Sequence, residues 1–229
     1  MTAEYLEPDD IQRMEDAADN HRDRLLIRLV FHLGCRISEA LGLSVDDIDF
    51  ESGKVTIVHL KSRFWMNCRN CGAKLGLKHE FCPRCGTKNE LNSTERSERR
   101  RQRALPLDAE TLATVKTFIN KGGPVMRNCK LYLFGINRHR AWQIVRECAR
   151  KAGLHDLRNP ETAKTRGVSP HRLRDAFAVH AMKTDDSGEG MRLLQEHLGH
   201  ANFNTTAKYR KVSGKEHHDW YEKLWQGKG

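Results

Sequence analysis

Two groups of residues have the types and spacing that chemistry needs. The first is Cys68-x-x-Cys71 and Cys82-x-x-Cys85, two pairs set ten residues apart. A two-residue gap lets both thiolates of a pair reach one ion. Gly72 and Gly86, behind each second cysteine, permit the tight turn that this requires. Four thiolates close a tetrahedral shell that suits zinc and leaves no open position for a substrate. A structural zinc held by Cys68, Cys71, Cys82 and Cys85 is therefore expected. His79, between the pairs, is read as a surface residue, because four better ligands stand beside it. Cys35, Cys129 and Cys148 are scattered and read as free thiols rather than a disulfide framework.

The second group is spread along the chain. Arg36 has Glu39 one helical turn on, and His171 and Arg174 share one helical face. His200 follows Leu198-Gly199, and Tyr209 comes nine residues later. Two arginines can clamp the non-bridging oxygens of a phosphate through planar, always-charged forks. Such preorganised charge is usually the largest catalytic contribution. A tyrosine, with a free pKa near 10, can attack phosphorus if something takes its proton. Each residue also has a plainer explanation. Arg36 could pair with Asp47, His171 could be a surface side chain, and Tyr209 a half-buried packing aromatic.

The elements that must position these groups follow from pattern. Pro8 can open a helix through Ile11, Met14 and Ala17. A strongly apolar helix is expected over residues 21–33, hydrophobic on nearly every side and so central to the core. Gly34 interrupts it, and a short helix follows in RISEALGL. DIDFESGKVTIVHLK alternates with β-branched residues around Glu51-Ser52-Gly53, as strands meeting at a hairpin and ending near Lys61. From Arg63 to about Arg103 the composition turns polar and Cys-rich, then strand character resumes in RQRALPL, so an insertion is expected to split a hairpin. Asp108 should cap a helix ending at Gly122-Gly123, and another helix should cover 138–151. Residues 155–168 read as a loop. Ser169-Pro170 should open the helix of HRLRDAFAVHAM, with further helices at 191–198, 205–211 and 215–225.

Composition narrows the partners. Lys and Arg total 40 against 30 Asp and Glu over 229 residues, a formal charge of +10. That excess favours an anionic partner, nucleic acid before membrane. The chain is 38% hydrophobic with no apolar run of membrane-spanning length, and its first ten residues carry no apolar signal region. A cytoplasmic, nucleoid-associated protein without membrane contact is expected. The run from Thr94 to Arg103 offers Arg99, Arg100, Arg101 and Arg103 as further phosphate contacts, or equally a solvated connector.

GCRISEALGLSVDDIDF, SPHRLRDAFAVHAM and LLQEHLGHANFNTTAKY resemble, in order, the three signatures of the tyrosine recombinase (phage integrase) family. The resemblance runs from Tyr5 to about Val212, apart from the cysteine insertion. It implies a mainly α fold with a small antiparallel β-sheet (α+β), a catalytic domain over 1–229 with a zinc ribbon at 63–102 inserted in the β-hairpin. It implies a site-specific recombinase acting on double-stranded DNA through a 3′-phosphotyrosyl link. In that reading Arg36 and Arg174 clamp the phosphate, His171 is the candidate base for the Tyr209 proton, His200 hydrogen-bonds the phosphate, Glu39 supports Arg36, and Tyr209 is the nucleophile. Lys61 would protonate the leaving 5′ oxygen, with Lys54, Lys74 and Lys88 as rivals. No cofactor is expected for catalysis, since no carboxylate cluster for Mg²⁺ stands out. Residues 214–229 would dock on a neighbouring subunit, giving a homotetramer on DNA from a chain that is monomeric in isolation.

Two departures accompany the resemblance. Asp175-Ala176-Phe177 stands where relatives more often have His-Thr-Phe. The catalytic pattern also begins within the first residues, where relatives carry an upstream DNA-clamping domain, so a cut-down or a naturally minimal protein is expected. Two other readings stay open: a type IB topoisomerase-like enzyme, and a zinc-containing DNA-binding regulator without catalysis.

Overall fold

The computed structural model describes residues 5–58, 65–76, 79–88, 102–154, 156–158, 164–209 and 222, with backbone only for 65, 66 and 158. Lys61, Arg99, Arg100 and Arg101 lie outside these residues, as does the C-terminal helix expected at 215–225, apart from residue 222.

Leu25, Leu26, Ile27, Leu29 and Val30 of helix α2 (His21–His32) are fully buried, the outcome its all-round apolar pattern demands. Asn20 caps it by accepting from the Asp23 N–H at 3.0 Å. Helix α1 (Pro8–Asp16) packs on α2 through Ile11 and Met14. Arg28 joins three helices: its Nε donates to Glu15 of α1 at 2.8 Å, and its Nη1 to Glu110 of α4 (Ala109–Asn120) at 2.8 Å. Burying these charges is tolerable only because they are paired. Asp108 caps α4 through the Thr111 N–H at 2.9 Å, as its sequence position required.

Gly34 adopts φ +51°, a left-handed conformation that ends α2 and turns the chain into the one-turn helix α3 (Ile37–Ala40). A 3₁₀ turn over Val45–Asp47 leads into strands β1 (Ile48–Asp49) and β2 (Lys54–Val58). Two further short strands, β3 (Trp65–Asn67) and β4 (Lys74–Gly76), pair with each other. Strand β5 (Gln102–Pro106) then returns to pair antiparallel with β2, Val55 opposite Leu105 and Ile57 opposite Arg103. The sheet order is β1-β2-β5, so the whole cysteine segment lies between two paired strands. Val55 and Ile57 point to the core and their neighbours away from it, the period-2 signal that made this hairpin readable.

Two short hairpins were not anticipated. Strands β6 (Val125–Arg127) and β7 (Lys130–Tyr132) turn through Asn128 and Cys129, both at positive φ. Strands β8 (Asp156–Arg158) and β9 (Thr165–Gly167) pair across the stretch that reads as loop. Three-residue strands carry too few alternations to register as periodic.

Helix α5 (Arg138–Lys151) is capped by Asn137. Helix α6 (Pro170–Thr184) has proline at its first position. Ser169 precedes it with extended backbone but makes no side-chain capping bond. Helix α7 starts three residues earlier than expected, at Gly188 (Gly188–Leu198), because Ser187 accepts from the Gly190 N–H at 3.0 Å. Helix α8 (Asn204–Ala207) is shorter than expected. The main core gathers α1–α6 with the β1-β2-β5 sheet. A second small core joins α6, α7 and the chain after α8 through Ala178, Met182, Met191, Leu194, Leu198 and Tyr209. Among the described residues, no helix is long and apolar enough to cross a membrane.

Candidate active site and cysteine centre

Arg174 sits where two helices end. Its Nη1 donates to the Gly34 carbonyl at 2.8 Å and its Nη2 to the Leu198 carbonyl at 2.8 Å. Those carbonyls lie beyond α2 and at the end of α7, where backbone acceptors have no helical partner. The guanidinium thus joins the first and last thirds of the chain, and it is 2% exposed. Burial, then the nearby Arg36, pushes its pKa down to about 10, which still leaves it charged near neutrality.

The Leu-Gly-His motif ends α7. Gly199 takes φ +65°, its N–H donates to the Glu196 carbonyl, and the His200 N–H donates to the Gln195 carbonyl. This is a Schellman turn, and glycine is there for its conformation. The turn brings the His200 Nε2 to 3.1 Å from Arg174 Nη2 and its Nδ1 to 2.9 Å from the Thr206 hydroxyl. Burial, then Arg174 and Arg36, pushes the His200 pKa down to about 4. A neutral imidazole facing a guanidinium must accept at Nε2, so its proton sits on Nδ1 and is donated to Thr206. Arg174 therefore fixes the tautomer, and Thr206, in the T-T-x-x-Y run, accepts the Nδ1 proton.

Arg36 is the N-cap residue of α3. Glu39 accepts from the Arg36 N–H at 2.9 Å and from its Nη1 at 3.0 Å. The same carboxylate accepts from Arg103 Nη2 at 2.8 Å. Burial works to raise the Glu39 pKa, but the Arg103 hydrogen bond and the Arg36 N–H hold it down at about 2. Arg36 does not pair with Asp47, which caps Ser44 instead. Of the four arginines read as further phosphate contacts, Arg103 is the one within the described residues. Its side chain is 13% exposed and its guanidinium is engaged by Glu39, which places it beneath the site.

Tyr209 is 7% exposed, its ring stacked on His200 with centroids 6.5 Å apart. Its hydroxyl donates to Asp175 Oδ1 at 2.6 Å. Burial first, and Asp175 second, pushes the phenol pKa well above its usual range. His171 lies one turn before Asp175, its Nε2 3.8 Å from Asp175 Oδ1 and its side chain largely exposed.

Several of these residues line one continuous depression. A cleft of about 370 Å³ holds Arg36, Arg174, His171, Arg138 and Trp142. It shares Trp142, Ser169 and His171 with a cleft of about 480 Å³ that holds Tyr209, Asp175, Arg146, Arg166, Arg172 and Lys208. Four of the six expected catalytic residues, Arg36, His171, Arg174 and Tyr209, therefore line this depression; His200 lines a neighbouring cleft and reaches the group through Arg174 and the Tyr209 ring, and Lys61 is outside the described residues. The rival Lys54 is in β2 opposite Pro106, and Lys74 and Lys88 are in the cysteine segment. Sequence reading missed Asp175 and the cationic rim. Arg138, Trp142 and Arg146 recur every four residues on α5, a spacing that could have been found.

In the cysteine segment, two turns of the same form face each other. The Cys68 N–H donates to the Ala73 carbonyl and the Cys82 N–H to the Thr87 carbonyl, both at 2.8 Å, with Gly72 at φ +68° and Gly86 at φ +73°. All four sulfurs lie within 4.8 Å of one another, with Cys68–Cys85 at 3.5 Å and Cys71–Cys82 at 3.6 Å. Four cysteines this close could bind a metal. Sulfurs at about 2.3 Å from one ion stand about 3.8 Å apart on a tetrahedron, which these separations approach. His79 instead accepts from the Gly76 N–H at Nδ1.

Comparison with known proteins gives the class to which this fold belongs. Residues 4–69 and 83–216 match the Phage integrase family, and the chain belongs to that family. The stretch left unmatched contains Cys71 and Cys82. The tyrosine recombinase XerD of Neisseria meningitidis serogroup B is 28% identical over 218 residues, covering 89% of this chain and 57% of the relative. The tyrosine recombinase XerA of Pyrococcus horikoshii is 29% identical over 227 residues, covering 95% and 60%. The chain thus spans little more than half the length of these relatives. Among solved structures, XerA recombinase superimposes with a TM-score of 0.63 at 18% identity, over 98% of this chain and 66% of that one. The catalytic domain of bacteriophage HP1 integrase superimposes with a TM-score of 0.53 at 18% identity, over 96% and 94%. These likenesses carry the fold, mainly helical with small antiparallel sheets.

Proposed function

We propose that this chain carries the strand-cleaving and rejoining unit of a site-specific DNA recombinase. The observation that carries the proposal is the meeting of Arg36, His171, Arg174 and Tyr209 in one basic depression, with His200 against Arg174 and the Tyr209 ring. A DNA phosphate lies between Arg36 and Arg174, and the charge that builds on its oxygens during attack meets a guanidinium already fixed by the Gly34 and Leu198 carbonyls. Glu39 orients Arg36. Tyr209 attacks phosphorus, the bond to the 5′ oxygen breaks, and the 3′ phosphate stays on the tyrosine. The ester keeps the energy of the broken bond, so a 5′ hydroxyl from another strand can reverse the step without ATP. Lys61 is the proposed acid for the 5′ oxygen.

His200 helps only after a change. As placed, its Nε2 accepts from Arg174, so hydrogen bonding to a phosphate oxygen requires a switch of partner. The cationic rim of Arg146, Arg166, Arg172 and Lys208 suits the flanking backbone. Zinc is the proposed occupant of the four cysteines, neutralising the thiolates and tying the two turns together. Residues 63–102 form the proposed zinc module, and residues 214–229 the proposed contact to a neighbouring subunit in a tetramer on double-stranded DNA. An intracellular, nucleoid-associated site of action follows from that substrate.

The test is covalent trapping. The wild type and Tyr209→Phe are incubated in EDTA with a mixed-sequence pool of nicked duplexes and run on a denaturing gel. A protein–DNA band that is absent in the mutant is expected, and sequencing its DNA gives the site. Tight DNA binding with no covalent band would refute the proposal and favour a binding-only regulator. Relaxation of arbitrary plasmids without recombination would favour the topoisomerase-like reading.

A further inference from the structure

We infer that Asp175 is the group that takes the proton from Tyr209 during strand cleavage, and that His171 serves the phosphate instead. The inference deepens the proposed function and rests on it. Sequence reading gives the proton to His171. The geometry places another acceptor on the reacting atom: Asp175 Oδ1 is 2.6 Å from the Tyr209 hydroxyl, a short charge-assisted bond. His171 is 3.8 Å from that carboxylate and also lines the cleft that holds Arg36 and Arg174.

A general base must lie within hydrogen-bond reach of the proton it removes, and among the described residues Asp175 does so. It is 5% exposed, so the phenol meets a carboxylate rather than water. From its own helix, Asp175 faces His171 and Arg172, whose Nη1 is 3.7 Å from Oδ2. From the chain after α8 come Tyr209 and Lys208; Arg146 of α5, Arg166 of β9 and Tyr5 line the same cleft. As the Tyr209 oxygen bonds to phosphorus, its proton passes to Oδ1 and the electron pair of the broken P–O bond leaves with the 5′ oxygen, which is protonated by an acid or by water. On rejoining, Asp175 returns the proton to the tyrosine. The departure from the family pattern at this position, Asp for the commoner His, thus falls on a residue in direct contact with the nucleophile.

The experiment uses the duplex selected by the wild-type chain, made with a bridging 5′ phosphorothiolate. A thiolate leaves without a proton, so only deprotonation of the nucleophile is read. Single-turnover adduct formation is followed from pH 6 to 9 for wild type, Asp175→Asn and His171→Gln. Asparagine keeps the shape and an acceptor but cannot take the proton. The expected loss at pH 7 is about a hundredfold, within the range for one general base. The Asp175→Asn rate should then recover about tenfold for each pH unit, as hydroxide replaces the lost base, while His171→Gln is slow at every pH with no new slope. A pH-independent loss in Asp175→Asn would make Asp175 an anchor and overturn the inference, as would a faster rate. A steep slope in His171→Gln alone would return the role to His171. No adduct from the wild type would refute the proposed function itself. A readout without DNA is ultraviolet titration against Tyr209→Phe. Tyr209 should ionise at lower pH in Asp175→Asn than in the wild type, and an unchanged titration would overturn the inference.

Discussion

Glu39→Gln tests the foundation of the cleft. The Glu39 carboxylate is 1% exposed and accepts from Arg36 and from Arg103 at 2.8 Å. Its pKa is about 2 against an ordinary 4.5, even though burial pushes the other way. At about 1.4 kcal/mol for each factor of ten, that difference is worth about 3 kcal/mol of folding stability. Because the folded pKa is the depressed one, this stability is complete above about 4.5 and is lost as the pH falls through about 2. Glutamine keeps the shape but leaves Arg36, Arg103 and Arg174 without their counter-charge. Urea unfolding of wild type and Glu39→Gln should therefore differ by about 3 kcal/mol at pH 7 and pH 5, narrowing to about 1 kcal/mol at pH 3. Arg103→Met should lower stability too, and the double mutant should fall well short of the sum, since one interaction is being removed twice. A difference under about 1 kcal/mol at pH 7, or one that does not change with pH, would refute the reasoning.

Three further expectations follow from particular contacts. In Gly34→Ala, the new Cβ would stand 2.3 Å from Phe177 Cδ1 at a φ of +51°, so unfolding should become easier by about 2–4 kcal/mol. Adduct yield should fall as well, because the Gly34 carbonyl holds Arg174. Metal analysis should find one zinc per chain and none in a Cys68→Ser, Cys82→Ser variant, while cleavage by the loaded protein continues in EDTA. His200 has a folded pKa of about 4, below its ordinary 6.5, so the unfolded state binds the extra proton and stability should rise with pH between those values. His200→Gln should flatten that rise in a stability–pH curve, leaving a smaller slope of the same sign from the partly buried His197.

Much of the site was legible because its residues are spaced by local geometry. Leu-Gly-His encodes a helix stop, H-x-x-R one face of a helix, and the paired C-x-x-C two turns that aim at one point. Each is decided within a few residues, so sequence spacing carries it. The strand pair β2 and β5 was legible for the same reason, since alternation of Val55 and Ile57 survives a long insertion. The β6–β7 and β8–β9 hairpins were not, being too short to show a period.

What only the tertiary structure decided concerns partners far apart in sequence. Asp175 lies 34 residues before Tyr209, and Arg103 lies 64 residues after Glu39. Sequence marks an aspartate or an arginine as charged without naming the partner it takes, and here burial forces the choice. A carboxylate or guanidinium withdrawn from water must find its opposite, and packing determines which one is within 3 Å. The catalytic residue types were therefore written in the chain. Which of them meet, Tyr209 with Asp175 and Glu39 with Arg36 and Arg103, was decided by the packing that buries them.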